Sequence, residues 1–307
     1  MKNEGDRYLI DCVRNGDEAA FRQLVDRYSG RLTAYASRRM SRSGTDPEDA
    51  VQDTFLGLLQ SLERGEERVA GIRSLEAYLY QILRHKIYDL RAKRPEAHGL
   101  RRVPLAREDA DGIVEGYEPV APGGTPSSYV RRGEEVLVTH QVLSDVLEKF
   151  IGQLKKEKNF RDLKILELLF MTPWLNKDIA AAAGTSDATV TRVKKDALGK
   201  LSRLVARHPS GSSCHSRLEE EEDASKLVRT TWSDNLLSCL KRSTLGAYAL
   251  GAVESDWKDY IRFHLETVGC ETCAANLEDL RSEGESKSQA VRERVFVSSV
   301  GFLKKFR

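Results

Sequence analysis

Aromatic residues make up only 7% of this 307-residue chain, and its net charge is only +2 although 31% of its residues are charged. So few rings suit two or three small helical domains joined by polar linkers better than one large core. A near-neutral total removes any whole-chain argument for a polyanionic partner. No apolar run approaches the roughly 20 residues needed to span a bilayer. The opening MKNEGDRYLI lacks the charged and apolar regions of a signal peptide. A cytoplasmic protein with no membrane partner is expected. Five cysteines, an odd number, argue against a disulfide framework and leave metal ligation or free thiols. No nucleophile, acid–base pair or phosphate-binding loop stands out in the first two-thirds of the chain, so no enzymatic activity is expected.

What charge there is lies in blocks. Arg84, Lys86, Arg91, Lys93, Arg94, Arg101, Arg102 and Arg107 form one basic stretch, and Lys194 to Arg207 forms a second. Against them stands the acidic run Glu219 to Asp223. Local basicity, rather than the total, is the footprint of a nucleic-acid partner.

The apolar spacing predicts an all-α fold. Phe21, Leu24, Val25, Tyr28, Leu32 and Tyr35 mark one amphipathic helix, started by Gly16-Asp17. Asp46-Pro47 opens a second, with the stripe Val51, Phe55, Leu58, Leu59 and Leu62. A third begins near Ser74, buries Leu75, Leu79, Ile82 and Leu90, and stops at Pro95. Residues 1–95 are therefore read as one domain and 96–139, with VAPGGTPSS, as a flexible linker. Helices resume near Gln141 in a second domain, 140–207. An acidic linker, 208–230, leads to a small third unit, 231–285, and a weakly amphipathic tail, 286–307.

Within the second domain, Leu175 to Leu201 reads as two short helices around a turn at Gly184, with Ser186 capping the second. Val190, Val193, Ala197 and Leu201 face inward, so Ala188, Thr191, Arg192 and Lys195 face out. Small residues with Arg and Lys suit the DNA major groove; a helical hairpin with a solvated charged face is the alternative. In the first domain, Asp49, Gln52, Asp53 and Leu56 lie opposite the core stripe, a surface fit for a basic protein partner. Tyr80, Arg84, Tyr88 and Arg91 line the third helix, alternating rings with guanidinium groups as unpaired bases require. The competing expectation buries the tyrosines against a neighbouring helix.

Together DEAAFRQLVDRY, DPEDAVQDTFLGLLQSL, SLEAYLYQILRHKIYDLRAKR and the helix–turn–helix resemble a bacterial RNA polymerase sigma factor of the extracytoplasmic-function group. The resemblance implies regions two and four, joined by a linker. It implies that Asp49, Gln52 and Asp53 dock on core RNA polymerase and that Tyr80, Arg84, Tyr88 and Arg91 engage the opened −10 element of promoter DNA. The loop Glu63 to Arg73 would help capture a flipped base, and Ala188, Thr191, Arg192 and Lys195 would read the −35 element. The alternative is a helix–turn–helix regulator acting without core polymerase.

The third unit places Cys239, His264, Cys270 and Cys273 in the order of a Cys3His site for one structural zinc ion. Gly269 is expected to end the helix carrying His264, so that Cys270 and Cys273 open the next. The segment looks like the zinc-binding anti-sigma domain, although five residues, Leu265 to Gly269, separate His264 from Cys270 where that pattern has three. A metal-free hairpin with buried cysteines is the alternative, and Cys214-His215 is expected to be incidental. A built-in regulator of the sigma domains follows as an expectation, as does a partnership with an anti-sigma or signalling protein.

Overall fold

Several helix starts are set by short polar side chains in this chain. Asp17 accepts from the amides of Ala19 and Ala20 at 2.8 and 3.0 Å, and Asp46 accepts from Glu48 at 2.9 Å with Pro47 in the first turn. Ser74 and Ser186 each cap through the hydroxyl, accepting from Ala77 and Thr189 at 3.3 Å. The computed structural model describes residues 4–41, 46–64, 74–92, 134–210, 221–282 and 286–303. Among these residues there are thirteen α-helices and no strand, as the spacing predicts. They are α1 (Glu4–Arg14), α2 (Glu18–Met40), α3 (Pro47–Glu63), α4 (Leu75–Ala92), α5 (Glu134–Lys156), α6 (Phe160–Met171) and α7 (Asn176–Ala182). Then come α8 (Asp187–Ala206), α9 (Glu221–Asp234), α10 (Arg242–Ala249), α11 (Ser255–Glu266), α12 (Glu271–Ser282) and α13 (Ser286–Leu303).

The first compact unit packs α1 to α4 with α13. Phe21, Leu24, Val25 and Leu32 of α2 meet Val51, Phe55, Leu58 and Leu59 of α3, all buried. Phe21 stands edge-on to Phe55 at 6.1 Å and lies 6.0 Å from Phe296 of α13. The tail is therefore a helix with buried Val295, Phe296, Ser299 and Leu303, drawn in because the α2–α3 groove offers it an apolar partner. Two buried polar contacts fix α1 and α4 on α2. Asp6 pairs with Arg27 and accepts from the Tyr28 hydroxyl at 2.8 Å, while Arg31 pairs with Glu76 at 2.9 Å. Burial, then Asp6, pushes the Tyr28 phenol far above its ordinary pKa.

The second unit runs from α5 to α12 around one continuous hydrophobic cluster. This differs from a separate third domain after an acidic linker. Residues 221–230, assigned to that linker by their charge, are helical. Ala224, Val228 and Trp232 recur at four-residue spacing along α9 and are all buried. Trp232 lies 5.7 Å from Phe170 of α6, and its indole N–H donates to Ser238 at 2.9 Å. Ring contacts repeat at Phe160, stacked 4.9 Å from Tyr260 and edge-on to Trp257 at 5.0 Å. The module thus has no core apart from α5 and α6. Helix α5 also starts at Glu134, ahead of the expected Gln141. Most of the 96–139 linker, the loop 65–73, Cys214-His215 and the basic residues 93–107 lie outside the described residues.

Phe21 joins three helices through its ring, so Phe21→Ala should cost about 3–5 kcal/mol. Urea unfolding followed by circular dichroism checks this; a loss under about 1 kcal/mol would contradict the packing described.

Candidate functional site

Four groups of side chains are placed by this framework, three in the sequence-expected form and one altered. In the second unit, Gly184 turns the chain at φ +63°, a left-handed conformation that a side chain resists, and α7 and α8 meet across that turn. Val190, Val193, Ala197 and Leu201 are buried, and Ala188, Thr191, Arg192 and Lys195 are exposed on α8. Asn176 of α7 donates to Thr191 at 3.4 Å, and Arg192 sits 3.6 Å from Asp196 in an exposed pair of small energetic value. The C-terminal helices of the same unit leave this row accessible.

On α3, Asp49 is exposed, and Gln52, Asp53 and Leu56 are half-buried. An open cleft beside them is lined by Glu48, Asp49 and Gln52 from α3 and by Glu293, Arg294 and Val297 from α13. Arg294 grips Glu48 with two bonds of 2.5 and 2.7 Å, and Arg22 reaches Glu293 at 2.7 Å while lying 3.7 Å over the Phe296 ring. The Glu48 bond raises the Arg294 pKa, and the Arg22 bond lowers that of Glu293.

The aromatic stripe of α4 is split. Tyr80 was expected to face outward but is 1% exposed, edge-on to Tyr35 at 5.1 Å, with its hydroxyl 3.5 Å from the Arg31 carbonyl. The helix buries Leu79, Leu83 and Ile87 as well, so its apolar arc is wide enough to take in Tyr80. Tyr88 remains outward at 58% exposure and Arg84 is half-buried; the Arg91 side chain lies outside the described residues. Tyr80 belongs to the core, and Tyr88 is the accessible ring.

Cys239, His264, Cys270 and Cys273 converge, each offering a ligand atom within 4.8 Å of the others. Cys239 sits on a turn where Leu236 takes φ +51°, and Gly269 at φ +67° separates α11 from the Cys270–Cys273 turn. The Cys239 and Cys270 sulfurs are 3.6 Å apart, too far for a disulfide and near the roughly 3.8 Å edge of a tetrahedron with ~2.3 Å zinc–sulfur bonds. The Leu240 amide donates to Cys273 at 3.3 Å, a bond suited to a thiolate. Hydrogen bonds from Cys239 and Cys273, with His264 alongside, hold the Cys270 thiol well below its ordinary pKa; the bond to Cys270 pushes Cys239 up. The His264 Nε2 is buried without a hydrogen-bond partner. Three sulfurs and one orphaned imidazole nitrogen fit a soft tetrahedral ion.

Beneath the cluster lies a residue that periodicity did not select. Glu167 of α6 is fully buried and accepts from the Tyr260 hydroxyl at 2.8 Å and from His264 Nδ1 at 2.9 Å. Its signal in the sequence is a lone carboxylate within the apolar run LKILELLFM. Burial works against the charged form of His264, but Glu167 and then Cys270 outweigh it and raise the imidazole pKa well above its ordinary value.

Residues 24–95 match the family model Sigma-70 region 2. The chain is 28% identical to the RNA polymerase sigma factor NccH of Alcaligenes xylosoxydans xylosoxydans, over 65% of this chain and 94% of that protein. It is 34% identical to the RNA polymerase sigma factor CnrH of Cupriavidus metallidurans, over 28% of this chain and 43% of that protein. It is 24% identical to the RNA polymerase sigma-F factor of Bacillus subtilis, over 69% of this chain and 95% of that protein. No solved structure matches. The region 2 match and these relatives support an RNA polymerase sigma factor directing transcription initiation. The match to NccH spans nearly all of that relative yet leaves about a third of this chain without a counterpart there. Among the described residues, no helix is long and apolar enough to cross a membrane.

Because Tyr80 is core and Tyr88 is surface, their alanine variants should separate. Tyr80→Ala should lower stability by about 3–5 kcal/mol and Tyr88→Ala by no more than about 0.5. Chemical denaturation of both variants measures this, and equal losses would contradict the assignment.

Proposed function

We propose that the chain is a sigma factor of the extracytoplasmic-function type that docks on core RNA polymerase through Asp49, Gln52, Asp53 and Leu56. Tyr88, with Arg84 and Arg91, holds the opened −10 strand, stacking being worth about 1–3 kcal/mol per base. The −35 duplex is read by Ala188, Thr191, Arg192 and Lys195. The observation that carries this reading is the exposed row on α8, kept clear although four further helices share its hydrophobic cluster. The work is binding rather than covalent catalysis. One structural zinc ion, held by Cys239, His264, Cys270 and Cys273, would fill all four positions from protein and so supply stability to the fold.

The C-terminal third acts as a built-in regulator in this reading. Helix α13 lies against α2 and α3 and shares a cleft with Asp49 and Gln52, so a partner docking there meets α13 first. The holding ion pairs are exposed, and salt screens such pairs. Glu293, with its pKa lowered by Arg22, contributes above the ordinary carboxyl value of about 4.3. That contribution is lost as pH falls through the lower folded value.

The test is promoter-directed transcription by bacterial core polymerase with the full chain and with a chain ended at Ser282. Both should initiate selectively, and the shortened chain should bind core more tightly, by a margin that shrinks with added salt. Equal core affinity would remove the regulatory role from α13. Arg192→Ala should weaken promoter use by about 1–3 kcal/mol, the worth of a good base contact. An Arg192→Ala chain as active as the parent on every −35 sequence would exclude that residue from reading.

A further inference from the structure

His264 divides its two ring nitrogens between different neighbours, and the division gives a role to a residue outside the cysteine cluster. A carboxylate only accepts hydrogen bonds, so the 2.9 Å contact with Glu167 Oε1 places the ring proton on Nδ1. Nε2 is then the nitrogen turned away from Glu167 and left to bind an ion once deprotonated, and it is the one buried without a hydrogen-bond partner. Glu167 is held in turn, since the Tyr260 hydroxyl donates to the same Oε1 at 2.8 Å. Carboxylate and imidazole are both 0% exposed. A buried carboxylate is costly unless something compensates it, and an apolar side chain would fill this place in α6 more cheaply. What an apolar side chain cannot do is fix the tautomer and tilt of a ligand histidine.

We propose that Glu167 is the outer-sphere carboxylate of the metal centre, positioning His264 so that Nε2 faces the three sulfurs, and that it thereby ties metal loading to α6. This rests on the reading of the four residues as a zinc site. The consequence is specific to this chain: the ligands come from the C-terminal third, whereas the residue that orients one of them comes from the helix preceding the helix–turn–helix. Metal occupancy is then felt by the DNA-reading unit through one hydrogen bond rather than through the cysteines alone.

The experiment uses the full chain, with Glu167→Gln as a variant of nearly unchanged volume. Zinc affinity is measured by competition with a chromophoric chelator, and thermal unfolding is followed with and without zinc. The variant should bind zinc about 10–100-fold more weakly, and its zinc-induced rise in Tm should shrink. A Tm loss that is the same with and without zinc, at parental affinity, would make Glu167 a packing residue only and overturn the proposal. Nitrogen-15 NMR of the zinc-loaded parent provides a check that needs no variant. Nδ1 should carry the proton and Nε2 the metal, and metal on Nδ1 would overturn it. A parent chain that takes up no zinc would instead sink the zinc site itself.

Discussion

A fully buried carboxylate is the constraint around which the second unit is arranged. Glu167 requires donors, and Tyr260 and His264 supply them, so α11 must lie against α6 in one register. The Phe160–Tyr260 stack and the Lys164–Asp259 pair at 2.5 Å repeat that alignment on either side. Once α11 is placed, the turn at Gly269 brings Cys270 and Cys273 under His264, and Cys239 closes the group from the turn after α9. Apolar packing alone would tolerate sliding of α11 along α6; two directional hydrogen bonds to one buried carboxylate oxygen do not.

The C-terminal third is consequently distributed rather than appended. Helices α9 to α12 share one hydrophobic cluster with α5 to α8, while α13 belongs to the unit built from α1 to α4. The attachments differ in how much they bury. The first buries large rings, Trp232 and Tyr260, with exposed pairs such as Lys164–Asp259 at its edge. The second combines a short apolar strip with the exposed pairs Arg22–Glu293 and Arg294–Glu48. Exposed ion pairs are weak and screened, so the second attachment is the one suited to exchange for another partner.

Much of this was legible in the sequence because it depends on neighbours along the chain. The caps at Asp17, Asp46, Ser74 and Ser186, the turn at Gly184 and the inward stripe of α8 are all local, and the structure carries each of them. The convergence of Cys239, His264, Cys270 and Cys273 was also expected, from residue types and order. What failed depended on distant packing. Tyr80 looked outward only while the apolar arc of α4 was drawn too narrow, and Tyr35, the ring that covers it, lies on another helix. Residues 221–230 looked like a linker because acidic residues precede Ala224, Val228 and Trp232, whose burial depends on a groove formed far earlier in the chain. Glu167 and the Glu48–Arg294 pair have partners about 100 and 250 residues away, beyond the reach of periodicity.

The central claim is that α13 covers the α3 face proposed to dock on core polymerase. Amide hydrogen exchange across α3 and α13, in the free chain and with saturating core polymerase, tests it most directly. Free, both helices should be protected; in the complex α3 should stay protected while α13 exchanges freely. Protection of α13 that survives polymerase binding unchanged would contradict the account.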